Sequence, residues 1–470
     1  MGARLIEALA TTEPLAEIFS DKSVLEAMLD FEVALARIEA KLGVIPENAG
    51  ATIASVANAD AFDVATLAHD TLRGGTPGIP FVKALTEVVR KRDPVAAGFV
   101  HWGATSQDVA DAALILLLKK AQPVLIGDLA CTEKFLVRLS NQHKKTVMLG
   151  RTLLQAAPPV TFGLKAAGWL AAIRYGREHL ENAFNDTLVL QFGGASGTLA
   201  ALGKDGPRVA TALARELDLR LPGAPWHTRR DRLATLICTC GVLTGSLGKM
   251  ARDIALLMQN EVDEVAEPGG EGRGGSSTMP HKKNPIACSL TLAAANRVPG
   301  LVASFLSAMV QEHERGVGGW QAEWPIISSV IQATGLAAAS MAEAADGLSV
   351  DAEKMLANMD ATNGVVFAER ASMALAGKLG RDASHKILSD AARKSAQRGV
   401  RLTQVLSEMP EIVEALDPNI LRELEKPEKY LGSAEEFRRA LISEGTSAQA
   451  RNRRRPRERF RNVRSKKKEQ

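Results

Sequence analysis

The chain has 470 residues and a formal net charge of +4, and 46% of its residues are hydrophobic while only 4% are aromatic. This composition allows a large core, and its scarcity of aromatic residues favours closely packed helices over a β-sandwich. No continuous apolar run approaches the roughly 18 residues of a membrane span, and the N-terminus lacks a basic–apolar signal, so we expect a soluble, cytoplasmic protein without membrane contact.

The charge is concentrated at the C-terminus. Residues 451–470 contain eight Arg and three Lys but only two Glu, a net charge of +9, which leaves −5 for the preceding 450 residues. A segment this basic and this poor in apolar residues is typical of disorder. Such a tail could touch nucleic acid or an anionic surface, but a solvated extension explains it equally well. We therefore assign the tail no function.

In the first hundred residues, short helical patterns are broken at 46–50 and 74–78, where Pro and Gly interrupt the apolar spacing. Residues 99–108 read Phe-Val-His-Trp-Gly-Ala-Thr-Ser-Gln-Asp and precede an apolar helix. Thr105 and Ser106 can simply cap that helix. Yet the free N–H groups at a helix start bind carboxylates, and His101 adds further polar chemistry at the same place. Both interpretations stay open on this pattern alone.

Two further interruptions follow. Residues 150–163 read Gly-Arg-Thr-Leu-Leu-Gln-Ala-Ala-Pro-Pro-Val-Thr-Phe-Gly, and residues 192–203 read Phe-Gly-Gly-Ala-Ser-Gly-Thr-Leu-Ala-Ala-Leu-Gly. The second stretch lacks the Lys-Ser/Thr of a phosphate-binding loop, so small residues that permit close backbone approach explain it better. His227 lies just before the next helical pattern, and a structural role and a place at the edge of a site are equally expected for it.

Three long helical patterns come next, at about 231–267, 286–310 and 326–348. The first would extend roughly 50 Å at about 1.5 Å per residue. Helices of this length need partners along their length, so we predict a bundle, and their apolar content exceeds what one subunit could cover. The segment 311–325 between the second and third patterns is predicted as a break rich in recognition chemistry, with His313, Arg315, Trp320, Glu323 and Trp324.

The predicted fold class is therefore all-α. We expect an N-terminal helical domain at 1–110 and a central long-helix bundle at 111–350. A C-terminal domain of shorter helices at 351–450 and the basic tail at 451–470 complete the predicted organisation.

The most informative stretch is residues 272–285, Gly-Arg-Gly-Gly-Ser-Ser-Thr-Met-Pro-His-Lys-Lys-Asn-Pro. Three glycines and two prolines in fourteen residues exclude a helix, so a polar, cationic loop joins two helices. Such a loop suits an active-site lid, although most Gly/Ser-rich loops are plain connectors. Within it, 275–285 matches the pattern Gly-Ser-Ser-x-Met-Pro-x-Lys-x-Asn-Pro. It resembles the signature loop of the fumarase/aspartase superfamily, and that resemblance implies a three-domain fold around a long-helix bundle.

The resemblance also implies the chemistry, which is anti β-elimination or its reverse next to a carboxylate. The first serine after glycine is the family's base position, and fixed donors stabilise the charge that develops on the substrate carboxylate. The segments around 101–108 and 150–155 are similar to two other substrate-binding regions of the family. The implied catalytic residues are Ser276, Lys282, Asn284 and His101, and the implied substrate contacts are Thr105, Ser106, Thr152, Gln155, Ser277, Met279 and Arg315.

One departure narrows the choice of reaction. Adenylosuccinate and argininosuccinate lyases carry a histidine directly after the Arg-Thr pair, and this chain has Leu153 there. With the segments 192–199 and 314–324, the pattern resembles the bacterial 3-carboxy-cis,cis-muconate cycloisomerases of the superfamily. That resemblance implies lactone formation on a small polycarboxylate, in a homotetramer with shared active sites. The alternatives are a β-elimination like that of the two lyases or a catalytically inactive scaffold.

No cofactor is expected. The four cysteines lack zinc-like spacing, and no His and carboxylate cluster at ligand spacing is evident in the sequence.

Overall fold

The computed structural model describes residues 5–270, 274–275, 278–279 and 282–453, without the side chains of 445–453. In the described residues up to 105, the chain forms five α-helices. The longest begins after Ser20, whose hydroxyl accepts a hydrogen bond from the Ser23 N–H at 3.2 Å and so caps the helix. The five helices are α1 (Glu13–Ile18), α2 (Asp21–Lys41), α3 (Glu47–Val56), α4 (Val64–Gly74) and α5 (Gly78–Arg92).

Among the described residues between 106 and 347, five long helices and one short helix form most of the structure. In chain order these are α6 (Ser106–Gln142), α7 (Phe162–Thr187), the short α8 (Gly206–Glu216), α9 (Asp231–Leu257), α10 (Ile286–Ala308) and α11 (Gly319–Gly347). Leu and Ala residues spaced at helical intervals along them are buried, which explains why these segments are helices of such length.

A β-hairpin joins α6 to α7. Its strands are β1 (Val147–Thr152) and β2 (Gln155–Thr161), antiparallel, with a register shift between Leu149 and Gly150. A second, two-residue pairing joins β3 (Val265–Ala266) to β4 (Ser349–Val350).

The C-terminal part consists of shorter helices around their own apolar cluster, to which Val147 and Leu149 of β1 also belong. These helices are α12 (Ala352–Asp360), α13 (Ala368–Leu379), α14 (Arg381–Arg398), α15 (Leu402–Ser407), α16 (Pro410–Ala415), α17 (Pro418–Glu423) and α18 (Ala434–Arg453). Residues 454–470 of the basic tail lie outside the described residues.

The all-α prediction is confirmed, but two helix boundaries were wrong. Helix α9 ends at Leu257 and not near 267, because the chain turns at Asp263, whose φ is +48°, and then enters β3. Helix α11 begins at Gly319, so Trp320, Glu323 and Trp324 are helical and not part of a break.

By backbone contacts the chain groups into two discontinuous compact units. The first unit contains residues 1–130, 175–251 and 287–342, and the second contains 131–174, 252–286 and 343–470. The unit boundaries fall within the long helices. The three-domain division along the chain stays a prediction.

Among the described residues, three helices, α9, α10 and α11, are long and apolar enough to cross a membrane by length and composition alone. The sequence expectation concerned a continuous apolar run, whereas these helices reach a high mean hydropathy with polar residues interspersed. The most apolar stretches of α9 and α11 are 56% and 72% buried within the chain, but that of α10 is only 28% buried. Helix α10 therefore presents an apolar surface that its own chain covers little.

Candidate active site

In the first unit, Asp108 organises the start of α6. Its carboxylate is fully buried, and Oδ2 accepts hydrogen bonds from the N–H groups of Thr105 at 3.1 Å and Gly194 at 2.8 Å. Its Oδ1 accepts from the Gly193 N–H at 3.0 Å and from Nε2 of His227 at 2.7 Å. One carboxylate thus fixes a helix start, a glycine-rich segment and a buried histidine. A Cβ on Gly193 would lie 2.8 Å from the His227 ring, so this position requires glycine.

Thr105 and Ser106 stand at this helix start with half-buried side chains. Neither hydroxyl is hydrogen-bonded to another residue in the described part of the chain. Because the cap is supplied by Asp108, both hydroxyls are available to a carboxylate that meets the free N–H groups of α6.

His101 precedes this helix start and is paired with α2. Its Nδ1 lies 2.5 Å from Oε1 of Glu32, and only 12% of the histidine side chain and 1% of the glutamate side chain are exposed. Burial by itself lowers the pKa of His101, but the Glu32 carboxylate and its hydrogen bond outweigh that effect and raise the pKa above its ordinary value. The imidazolium is therefore favoured. The backbone of His101 has φ +60°, an uncommon conformation for a non-glycine residue.

Arg315 reaches the same place from the segment before α11. Its guanidinium donates to Oε1 of Gln107 at 2.9 Å and to the carbonyl oxygen of Ala195 at 2.8 Å. The structure therefore brings Arg315, Thr105, Ser106 and His101 together around the start of α6. Two cations, two hydroxyls and a helix N-terminus form a site that suits an anionic substrate.

A buried network of ion pairs is connected by hydrogen bonds to the residues at the start of α6. Arg230 makes a two-point contact with Asp111, at 2.8 and 3.0 Å, and its Nε donates to Glu323 at 2.8 Å. All three side chains are fully buried. Gln107 donates to Asp111 at 3.1 Å, so the network continues to Arg315. Burial raises the pKa of Glu323 to about 7, while Arg230 opposes the shift.

In the second unit, the signature loop is closed by its own backbone. The Asn284 N–H donates to the Gly274 carbonyl at 2.8 Å, and the Lys282 N–H donates to the Met279 carbonyl at 3.1 Å. Gly274 has φ +67°, and a Cβ there would approach the Asn284 carbonyl oxygen to 2.9 Å. The side chains of Lys282 and Met279 are exposed, and that of Asn284 is half-buried. Ser276, Ser277 and His281 lie outside the described residues.

The β1–β2 hairpin carries two other predicted contacts at its tip. Thr152 and Gln155 are the last pair of the ladder, and both are exposed. The hairpin is anchored just below, where Arg151 makes two hydrogen bonds, at 2.6 and 3.0 Å, to the buried carboxylate of Glu264. The anchor places the tip on a rigid support.

The two residues at the turn itself are unusual. Leu153 and Leu154 have φ values of +50° and +64°, and their side chains are 97% and 74% exposed. A two-residue hairpin turn with both φ values positive favours Asn-Gly, and a leucine in this conformation costs about 1–2 kcal/mol. Strained apolar residues between two predicted substrate contacts indicate a functional requirement that overrides local stability.

The double substitution Leu153→Asn/Leu154→Gly should therefore stabilise the protein and lower its catalytic activity. We expect the free energy of unfolding to rise by about 1–3 kcal/mol, because both positions then accept positive φ. We expect kcat/KM to fall about tenfold or more, equal to at least about 1.4 kcal/mol of lost transition-state stabilisation. Urea titration and steady-state kinetics at one protein concentration measure both effects.

The single variant Leu154→Gly is the matched control, since it relieves one strained residue and keeps Leu153. It should give part of the stability gain with a smaller loss of activity. Full activity in the double variant would show that the leucines have no role in the reaction.

Sequence reasoning did not identify Glu32, Asp108, Asp111 or Arg230 as parts of the site, and it left His227 undecided. A local signal existed only for Asp108, which lies three residues after Thr105 as a capping carboxylate would. The other partners are distant in the chain and have no recognisable spacing.

Comparison with known proteins indicates which family the chain belongs to. Residues 7–300 match the family model described as lyase, and residues 364–440 match the model described as adenylosuccinate lyase C-terminus. The 3-carboxy-cis,cis-muconate cycloisomerase of Bradyrhizobium diazoefficiens is 45% identical over 92% of this chain and 96% of that protein. The nitrosuccinate lyase of Streptomyces davaonensis is 40% identical over 92% of each chain.

Among solved structures, the 3-carboxy-cis,cis-muconate lactonizing enzyme of Pseudomonas putida has a TM-score of 0.89 and 42% identity to this chain. The match covers 95% of this chain and 100% of that one. The superfamily suggested by the signature loop is thereby confirmed: the chain belongs to the lyase family of the fumarase/aspartase superfamily.

Proposed function

We propose that the protein is an enzyme, a 3-carboxy-cis,cis-muconate cycloisomerase that forms 4-carboxymuconolactone, also called γ-carboxymuconolactone. This is a step of protocatechuate degradation in the β-ketoadipate pathway, a bacterial route of aromatic catabolism, and we place it in the cytoplasm. The observation that supports the proposal most is the anion-binding arrangement at the start of α6, in a chain 45% identical to a cycloisomerase of that name.

The reaction is an internal addition. One substrate carboxylate oxygen forms a bond to a carbon of the conjugated double bond, that double bond becomes single, and the neighbouring carbon gains a proton. Negative charge develops on the carboxylate next to the protonated carbon, so fixed donors there lower the barrier. We assign this stabilisation to Lys282 and Asn284, and the proton transfer to Ser276 or to a water that Ser276 positions.

The substrate has three carboxylates, and the remaining contacts serve to orient it. Thr105 and Ser106 offer hydroxyls without internal partners among the described residues, and Arg315 and His101 offer positive charge beside them. Ser277 and Met279 in the loop, and Thr152 and Gln155 on the hairpin, complete the proposed substrate contacts. Orientation of this kind lowers the entropic cost of ring closure.

The test is the loss of muconate ultraviolet absorbance in the presence of the purified enzyme. Cyclisation breaks the conjugated diene, so absorbance should fall and a lactone should appear by mass spectrometry without change of mass. Adenylosuccinate, argininosuccinate and nitrosuccinate are assayed in parallel. Turnover of any of these and none of the muconate would replace the proposal with a β-elimination, and no turnover of any would indicate an inactive scaffold.

Nitrosuccinate elimination is the second candidate, favoured by the relative that is 40% identical and named for that reaction. Its chemistry is the reverse of the addition described above. A proton is removed from the carbon next to a carboxylate, and the group on the adjacent carbon leaves. Adenylosuccinate- and argininosuccinate-type reactions are less favoured, since Leu153 cannot transfer the proton that a histidine would.

We also propose that the enzyme is a homotetramer in which neighbouring subunits complete one another's active sites. Helix α10 supports this, since its most apolar stretch is only 28% buried within one chain. Exposed small residues recur on it at helical spacing, which permits close approach of another helix. These are Ser289, Ala293, Gly300, Ala303 and Ser307.

Light scattering should therefore give a mass about four times the 50.1 kDa of one chain. The variant Ala303→Arg should lower this mass and the activity together, because it places an unpaired charge in the proposed interface. Ala396→Arg, at an exposed position of α14, is the matched control and should stay tetrameric. A fully active monomer would contradict the proposal.

A further inference from the structure

Glu32 and His101 form a buried pair, but the reaction proposed above gives a role only to the histidine. Glu32 lies on α2, outside the motifs that carry the superfamily resemblance. It has one hydrogen bond of 2.5 Å to Nδ1 of His101 and is 1% exposed. Because an ionised carboxylate only accepts, the Nδ1–H donates and the ring is held at that nitrogen. The Nε2 atom has no hydrogen bond to another residue in the described ranges.

We propose that Glu32 is a positioning residue for the reaction, which fixes the orientation and the positive charge of His101 so that Nε2–H can serve a substrate carboxylate. This inference rests on the proposed function and extends it to a residue on α2, 69 positions away in the chain. Glu32 itself does not touch the substrate. It acts only through the imidazole ring.

A second buried carboxyl group, that of Glu39, lies two helical turns after Glu32 on α2. It is fully buried, and neither of its oxygens has a hydrogen-bond partner among the described residues. Burial raises the pKa of Glu39 to about 9, and the charge of Glu32 adds to the shift. At neutral pH, Glu39 is therefore uncharged. Of these two groups on α2, only the carboxylate of Glu32 balances the positive charge of His101.

The remaining charge that faces His101 comes from the start of α6. Burial lowers the pKa of His101, whereas Glu32 and Asp108 raise it. Asp108 is itself hydrogen-bonded to His227, which lies in the segment before α9. With two carboxylates favouring the proton and burial opposing it, Glu32 is the largest favourable contribution to the charged ring. Removing its charge should therefore lower the pKa of His101.

The test is the pH profile of kcat/KM for Glu32→Gln, which keeps a hydrogen-bond acceptor and removes the charge. In the parent enzyme, activity that needs imidazolium is present at low pH and lost as pH rises through the raised pKa of His101. In Glu32→Gln this loss should occur about one pH unit lower or more. Above the pH at which the parent loses activity, kcat/KM of the variant should be about tenfold lower than that of the parent for each pH unit by which the profile has moved. At low pH it should recover towards the parent value.

Glu26→Gln on the same helix is the matched control, and its profile should coincide with that of the parent. A Glu32→Gln enzyme that is uniformly less active, with a profile that has not moved along the pH axis, would overturn the proposal and leave Glu32 a structural role only.

A second measurement needs no turnover and follows the ring of His101 directly in the parent enzyme. With ¹³C at the histidine Cε1 atoms, the His101 signal, assigned by its loss in His101→Gln, should titrate above about pH 6.5, the ordinary value for histidine, in the parent enzyme. Titration at or below that value would overturn the proposal even if muconate is turned over. A raised value in an enzyme that does not act on muconate would keep the pair and reject the proposed function.

Discussion

Ser276→Ala should abolish most of the turnover of 3-carboxy-cis,cis-muconate and leave folding and assembly intact. Ser276 follows the glycine of the signature loop, the base position of the superfamily, and the loop ends are held by the hydrogen bond between Gly274 and Asn284. Loss of a general acid or base commonly lowers the rate by about 10²–10⁴-fold. Removing one hydroxyl from a polar connecting loop should change the free energy of unfolding by about 0.5 kcal/mol or less.

Ser277→Ala is the control for this experiment, because it removes the same group one residue further on. Single-turnover kinetics would separate the chemical step from substrate binding, and circular dichroism and light scattering would verify fold and assembly. We expect the chemical step to be slowed far more in Ser276→Ala. Equal effects of the two substitutions, or near-normal turnover in Ser276→Ala, would assign the proton transfer to another group.

The helices of this fold are predictable because their apolar periodicity is a local property of the sequence. The position at which each helix ends depends on the contacts that the following residues make. Helix α9 ends at Leu257 since the following residues turn to pair β3 with β4, which lies more than eighty residues later. The third long helix was predicted to begin at about 326, yet α11 begins seven residues earlier, at Gly319, and tolerates Pro325 inside it.

The β1–β2 hairpin was not predicted. Pro158 and Pro159 argue against a strand, because proline cannot donate to a ladder. In a two-stranded hairpin each strand has an unpaired edge, so the missing N–H groups can be accommodated there. The bulge between Leu149 and Gly150 provides the remaining adjustment.

For the candidate site, the local motifs were informative and the partners were not. His101 and Thr105 lie in one recognisable segment, but Glu32 is 69 residues away from His101, and His227 is 119 residues away from Asp108. Sequence spacing carries no information on such pairs, because only the tertiary fold brings them together. Arg230 illustrates the difficulty best, since it is one of three arginines in the run 229–232 and only its burial distinguishes it.

Arg230→Met should be among the most destabilising single substitutions in the first unit. The guanidinium is the shared partner of Asp111 and Glu323, and it stacks 4.7 Å from the Trp226 ring. Methionine keeps an unbranched, mainly aliphatic side chain but lacks the guanidinium, so it leaves two buried carboxylates without their cation. Removing one partner from a buried ionic pair costs about 3–5 kcal/mol.

Arg229→Met is the matched control. Arg229 is exposed, and its guanidinium donates long hydrogen bonds, of 3.3 and 3.5 Å, to the carbonyl oxygens of Ala224 and Pro225. Its substitution should change the free energy of unfolding by about 0.5 kcal/mol or less. Urea titrations at one protein concentration compare the two variants with the parent, and equal losses would show that the buried network contributes no more than a surface charge.

The loss in Arg230→Met should also increase with pH. Burial already raises the pKa of Glu323 to about 7 in the presence of Arg230, and without that cation the pKa should rise further. A carboxyl group whose pKa is higher in the folded state binds a proton there that the unfolded chain has lost, so stability falls as pH rises from about 4.5 towards the folded-state pKa. The deficit of the variant should therefore be smaller at about pH 5.5 than at about pH 8. A deficit independent of pH across this interval would mean that lost packing against Trp226, and not uncompensated carboxylate charge, causes the destabilisation.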